Sequence, residues 1–110
     1  MNVTELTSDE MRRGLEAGSI LVVDVREAHE FAAARIPGSV LAALSTFDPA
    51  DLPDARGRRV VFSCAAGVRS LHALALAQGA GLAIDAHYVG GLKDWAMRGG
   101  PVESGPVGTD

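Results

Sequence analysis

The chain has 110 residues, a single cysteine and a formal net charge of −4, which describes one acidic domain with no internal disulfide. A chain this long buries about 60 to 70% of its unfolded surface and folds without a structural metal, while its acidic balance argues against nucleic-acid binding, which needs clustered positive charge. No charged and then apolar leader pattern is present and no apolar run approaches the ~20 residues of a membrane span, so a soluble, reducing compartment, the cytoplasm, is expected.

Aromatic residues are only 5% of the chain, so Leu, Val, Ile and Ala must supply most of the core. Val3 to Leu6 reads as a short edge strand. Thr7-Ser8-Asp9-Glu10 offers N-cap candidates and an acidic first turn for a helix through about Ala17, with Gly18 as its stop. Ile20-Leu21-Val22-Val23-Asp24-Val25 is continuously apolar and β-branched until its end, the pattern of a central strand buried on both faces. Glu27 to Ala34 predicts a short helix, ended by Arg35-Ile36-Pro37-Gly38. Ser39 to Leu44 predicts a third strand. Ser45 to Gly57 is turn-rich, with room for one helical turn, and the basic cluster Arg56-Gly57-Arg58-Arg59 reads as a solvated turn before the next strand.

Val60 to Ser63 predicts that strand, and Ser70 to Gln78 is rich in good helix formers, with Gly79 and Gly81 marking its end. His87-Tyr88-Val89 predicts a last strand, followed by Gly90-Gly91 and a terminal helix from about Leu92 to Arg98. A domain over residues 1–102 is expected, with the Gly/Pro/Ser-rich end, residues 103–110 in particular, as a loose tail. Strands alternating with helices predict an α/β fold, a mostly parallel five-stranded sheet with helices on both faces. Ligands in such sheets sit beyond the carboxyl ends of the strands, where Cys64 and Asp24 both fall.

Cys64 opens the run Cys64-Ala65-Ala66-Gly67-Val68-Arg69-Ser70, a strand end leading through small residues into a helix. Loop N–H groups and the positive end of the helix dipole are thereby aimed at the sulfur. Such a setting, with Arg69 nearby, lowers a thiol pKa and produces the thiolate nucleophile. Gly67 permits the tight turn. A buried structural cysteine is the competing reading. His29, His72 and His87 are scattered, with no spacing that assembles metal ligands beside one cysteine, so neither a zinc site nor a cofactor is expected.

Several stretches together resemble a single-domain rhodanese, a sulfurtransferase module, over roughly residues 3–102. They are Asp24-Val25-Arg26-Glu27, Glu30-Phe31, Ile36-Pro37-Gly38-Ser39, the loop Cys64 to Ser70, and Gly90-Gly91-Leu92-Lys93-Asp94-Trp95. The family usually carries a histidine before Ile-Pro-Gly, where this chain has Arg35. The resemblance implies that Cys64 accepts a sulfane sulfur from a donor such as thiosulfate or a persulfide. It then holds a persulfide and passes the sulfur to cyanide or a thiol.

Ala65, Ala66, Gly67, Val68, Arg69 and Ser70 are accordingly the expected substrate cradle. Arg69 either holds an oxyanion of the donor or pairs with a carboxylate to brace the loop. Ser70 is expected to cap the following helix, with a hydrogen bond to sulfur as the alternative. Asp24 is expected as a loop-bracing acceptor and Arg26 as a structural or substrate-approach cation. Trp95 is expected in the core.

Tyrosine and dual-specificity phosphatases also use a cysteine-to-arginine anion loop. Four residues separate Cys64 from Arg69 here, one fewer than in those enzymes, which disfavours phosphate and, equally, arsenate. The stronger alternative is a persulfide carrier or regulatory module that serves a sulfur-accepting partner protein. With no second cysteine, any persulfide needs an external acceptor.

Overall fold

A computed structural model describes residues 1–106. Five strands, β1 (Thr4–Leu6), β2 (Ile20–Asp24), β3 (Val40–Leu41), β4 (Arg59–Ser63) and β5 (Ala86–Tyr88), form one sheet. Their order is β1-β5-β4-β2-β3 and every pairing is parallel. Parallel neighbours need crossover connections, and α1 (Ser8–Ala17), α2 (Ala28–Ala33), α3 (Val68–Gly79) and α4 (Gly91–Met97) lie between or after the strands.

All five residues of β2 are buried, as its unbroken apolar run requires for a strand covered on both faces. The middle of the sheet is β4, which pairs with β2 from Ile20 opposite Arg59 to Asp24 opposite Ser63. The period of two in each strand divides the core. Ile20, Val22, Val61, Ala86 and Tyr88 face Met11 and Leu15 of α1 and Leu92 and Trp95 of α4. Leu21, Val23 and Phe62 face Ala73, Leu74 and Ala77 of α3. Truncating one of these fully buried side chains, Leu74→Ala for instance, costs about 2–5 kcal/mol through lost burial and the cavity left behind.

Helix α1 starts where the sequence places its cap. The Thr7 hydroxyl accepts from the Glu10 N–H, and the Glu10 carboxylate accepts from the Thr7 N–H. The third strand is shorter than expected. Only Val40 and Leu41 pair, because the chain then turns into two 3₁₀ segments, Leu44–Thr46 and Pro49–Asp51, whose flanking Phe47 and Leu52 pack on the α3 face of the sheet.

The first residues of the expected tail are hydrogen-bonded to the rest of the domain. Glu103 exchanges backbone hydrogen bonds with Arg35, and Gly105 N–H donates to the Ala32 carbonyl. The Arg35 guanidinium donates to Glu103 and to the Gly105 carbonyl and lies 4.7 Å above the Phe31 ring. Arg35 therefore holds residues 103–105 against α2. Residues 107–110 lie outside the described residues. Trp95 is in the core as expected, edge-on to Tyr88 and donating from Nε1 to the Pro101 carbonyl at 2.7 Å.

Candidate active site

Cys64 follows β4 directly and stands at the carboxyl end of the sheet's middle strand. Residues 65–67 form a tight loop, and the Gly67 N–H donates to Sγ at 3.1 Å. Gly67 has φ of 88°, and a Cβ there would overlap the Val89 carbonyl, so only glycine permits this turn in this packing. The loop is also held from outside. Leu92 N–H donates to the Cys64 carbonyl at 2.8 Å and Lys93 N–H to the Ala65 carbonyl at 3.1 Å. This latch needs Gly91, whose φ is 66° and whose Cβ would collide with the Ala65 carbonyl.

Cys64 is buried, at 1% exposure. Burial alone pushes its thiol pKa up and is the largest single influence. The Ser70 hydroxyl and the backbone N–H groups of Ser70, Ala66 and Gly67 together outweigh it, so the pKa lies below the ordinary thiol value. The hydrogen-bond donors around the buried sulfur thus favour its anionic form.

Helix α3 begins at Val68, with Gly67 as its N-cap. Ser70 is therefore inside the first turn, which corrects the expectation that its hydroxyl caps the helix. Its Oγ instead lies 3.5 Å from Sγ and 2.8 Å from Nδ1 of His87. Arg69 takes the bracing role. Its Nη1 and Nη2 donate to the two carboxylate oxygens of Glu30 at 2.7 and 3.0 Å, tying α3 to α2. That fork holds the Glu30 carboxyl down at about 2. The site has two faces to solvent, Ala66 and Val68, and Val68 is 77% exposed.

Asp24 and Arg26 are both buried and form a pair of their own. Arg26 donates from its backbone N–H and guanidinium to both Asp24 oxygens, and from Nη2 to the Ala34 carbonyl at 2.7 Å. Asp24 thus braces Arg26, and Arg26 fastens the start of α2 to its end. Among the described residues, no three His, Cys, Asp or Glu side chains group as a metal would need.

Three contributors have no role in the sequence analysis. Glu30 enters there only through the Glu30-Phe31 stretch of the family resemblance, although the spacing of Glu27 and Glu30 signals the capping arrangement at the start of α2. His87 enters there only as a strand residue and a rejected metal ligand. Glu5 carried no local signal, because its position beside His87 is a product of β1 pairing with β5 in register.

A five-stranded parallel sheet of this order, with a cysteine loop between its middle strand and a helix, is the α/β architecture that the resemblance implied. The family model of the rhodanese-like domain matches residues 7–98, and the chain belongs to that family. It is 36% identical over 83 residues to the uncharacterized protein slr1261 of Synechocystis, covering 76% of this chain and 46% of that one. It is 27% identical to the thiosulfate:glutathione sulfurtransferase of Saccharomyces cerevisiae, covering 90% of this chain and 82% of the yeast protein. The structure of the human single-domain sulfurtransferase TSTD1 superposes with a TM-score of 0.73 at 28% identity, covering 86% of this chain and 96% of that one. The chain thus spans about half the length of the Synechocystis relative. No helix among the described residues is long and apolar enough to cross a membrane.

Proposed function

We propose that this domain moves a sulfane sulfur from an external donor to an external thiophilic acceptor through a persulfide on Cys64. The observation that carries this reading is the cradle around Sγ, where a loop N–H at 3.1 Å and the Ser70 hydroxyl lower the thiol pKa of the single cysteine. With thiosulfate, the Cys64 thiolate attacks the outer sulfur, the donor S–S bond breaks, and sulfite leaves with the bonding pair. An acceptor thiolate or cyanide then attacks the outer sulfur of the Cys64 persulfide and releases the Cys64 thiolate. Electrons balance at each step, and no cofactor is needed.

Donor preference follows from charge. The guanidinium best placed to meet an anion is already held by both oxygens of Glu30, and Ala65, Ala66 and Val68 are uncharged. A doubly charged donor such as thiosulfate therefore meets backbone dipoles and an Arg69 already engaged by Glu30, which favours a thiol persulfide or a protein-borne sulfur. The exposed Val68 beside the loop suits the same kind of donor. A carrier role toward a partner protein is the second reading, favoured by the same engagement of Arg69.

Mass spectrometry of the protein after treatment with thiosulfate, and separately with glutathione persulfide, tests the proposal. A gain of one sulfur atom on Cys64 that a thiol then removes is the expected result. No adduct with either donor overturns it. An adduct that free thiols and cyanide fail to discharge supports the carrier reading instead.

A further inference from the structure

His87 is buried at 2% exposure, and its Nε2 has no hydrogen-bond partner. An unpaired polar atom in such a place needs a reason. Nδ1 is engaged by Ser70 Oγ at 2.8 Å, and the same oxygen lies 3.5 Å from the sulfur of Cys64. On the other side of the ring, Nε2 lies 3.9 Å from a carboxylate oxygen of Glu5, whose side chain is 62% exposed. A line of polar atoms therefore runs from the reactive sulfur, beneath α3, to solvent at the β1 edge of the sheet.

We propose that Cys64, Ser70 and His87 form a proton relay in which the ring tautomer of His87 reports and permits ionisation of the thiol. The argument is a count of protons. Ser70 has one hydroxyl proton and two partners, so it donates to one and accepts from the other. With Cys64 as a thiol, S–H donates to Oγ, the hydroxyl donates to Nδ1, and the ring proton sits on Nε2. With Cys64 as a thiolate, the hydroxyl donates to sulfur, Nδ1–H donates to Oγ, and Nε2 is bare. Passing from one to the other moves the thiol proton to Oγ, the hydroxyl proton to Nδ1, and the Nε2 proton to water or to the Glu5 carboxylate. One proton leaves, sulfur gains the negative charge, Ser70 and the ring stay neutral, and nothing is oxidised.

The relay needs a neutral ring, and the surroundings provide one. Burial pushes the His87 pKa down, and outweighs the pull of Glu5 upward. The groups around the ring come from the neighbouring strands and from α3, while α1 and α4 pack on the opposite face of β5 against Ala86 and Tyr88. Glu5 comes from β1, the apolar Phe62 is its register neighbour on β4, and α3 contributes Ser70, while the adjacent Arg69 is turned to Glu30. His87 acts on the sulfur only through Ser70 and is a positioning residue, as is Glu5.

The relay rests on the sulfurtransferase reading for its purpose but not for its operation, so the two fail separately. Missing sulfur adducts sink that reading and leave the relay untouched. The test is a pH titration of the whole protein labelled with ¹⁵N in histidine, alongside the rate of Cys64 alkylation by iodoacetamide. The Nδ1 and Nε2 shifts of His87 are expected to exchange character at the midpoint of the alkylation profile, without passing through the imidazolium form. Cys64→Ala should abolish that step. Ser70→Ala should uncouple the ring from the thiol and slow alkylation at neutral pH by about tenfold, the equivalent of about one pKa unit, with Ser70→Thr restoring both. Ring shifts that stay constant through the thiol midpoint, or a ring that becomes doubly protonated above it, overturn the relay. The wild-type titration decides the question even if a variant does not fold.

Discussion

Arg69 grips Glu30 through two hydrogen bonds of 2.7 and 3.0 Å, so the cation of the cysteine loop is committed to a helix on the other side of the site. Breaking this partly exposed fork by Arg69→Ala or Glu30→Ala should cost on the order of 1 kcal/mol in urea unfolding. Glu30→Gln should have a second effect. It releases the guanidinium, so the KM for thiosulfate should fall several-fold relative to wild type. A KM that stays level or rises would mean that Arg69 does not face the donor.

The same pair sets a pH dependence. The Glu30 carboxyl is lowered from 4.5 to about 2, chiefly by the Arg69 hydrogen bond. A depressed carboxyl stabilises the fold fully above its unfolded value and loses that contribution as pH falls through its folded value. The stability difference between wild type and Glu30→Gln should therefore be widest above about pH 5 and close progressively toward pH 2. Urea midpoints across that range measure it, and a gap that widens on acidification contradicts the assignment.

Two glycines should be irreplaceable for a reason of space. Gly67→Ala drives a methyl into the Val89 carbonyl, and Gly91→Ala drives one into Ala65, each at a positive φ. Each should destabilise by about 1–3 kcal/mol and slow alkylation of Cys64, because the N–H groups around Sγ are displaced together with the loop. Gly57→Ala makes a useful contrast, since its φ is also positive but nothing lies near its Cβ. Its effect should be confined to stability.

Arg26→Ala should be the most damaging charge deletion in the chain. Asp24 and Arg26 are each 4% exposed, and removing the guanidinium leaves a carboxylate buried without its partner. A loss of about 3–5 kcal/mol is expected by chemical denaturation. The double variant Asp24→Asn with Arg26→Met should recover much of it, since an apolar or neutral replacement removes the uncompensated charge.

Cys64→Ser should leave the thermal midpoint within a few degrees of wild type, because the side chains are nearly isosteric and the neighbouring hydroxyl of Ser70 remains. Sulfur transfer should be abolished. In the wild type, iodoacetamide alkylation should reach half its limiting rate below the ordinary thiol value of about 8.5, whereas the urea-unfolded chain should titrate at that ordinary value. Coincident profiles would show that the loop does not activate the sulfur.

Much of the architecture was legible in the sequence. The uninterrupted Ile20 to Asp24 run could bury itself only between two layers, Thr7 and Glu10 announced the start of α1, and Cys64 at a strand end with Gly67 three residues later announced an anion-binding turn. These are local signals, carried by periodicity, capping and backbone permissiveness, and they survive folding because each is satisfied within a few residues. The exceptions came where neighbours compete. Ser70 looks like a cap until the start of α3 at Val68 places it inside the first turn, and residues 103–105 look loose until Arg35 collects them.

Local sequence signals sufficed for the α/β architecture and for the place of Cys64 at a strand end, with four residues between it and Arg69. What that arginine and the surrounding polar groups contact depends on the packed fold. Arg69 meets Glu30 across 39 positions, and His87 meets Ser70 across 17. The position of Glu5 beside His87 exists only because two parallel strands pair in one register. A charged or polar side chain has several possible partners in a sequence, and the one it takes is set by which backbones the buried apolar residues bring together.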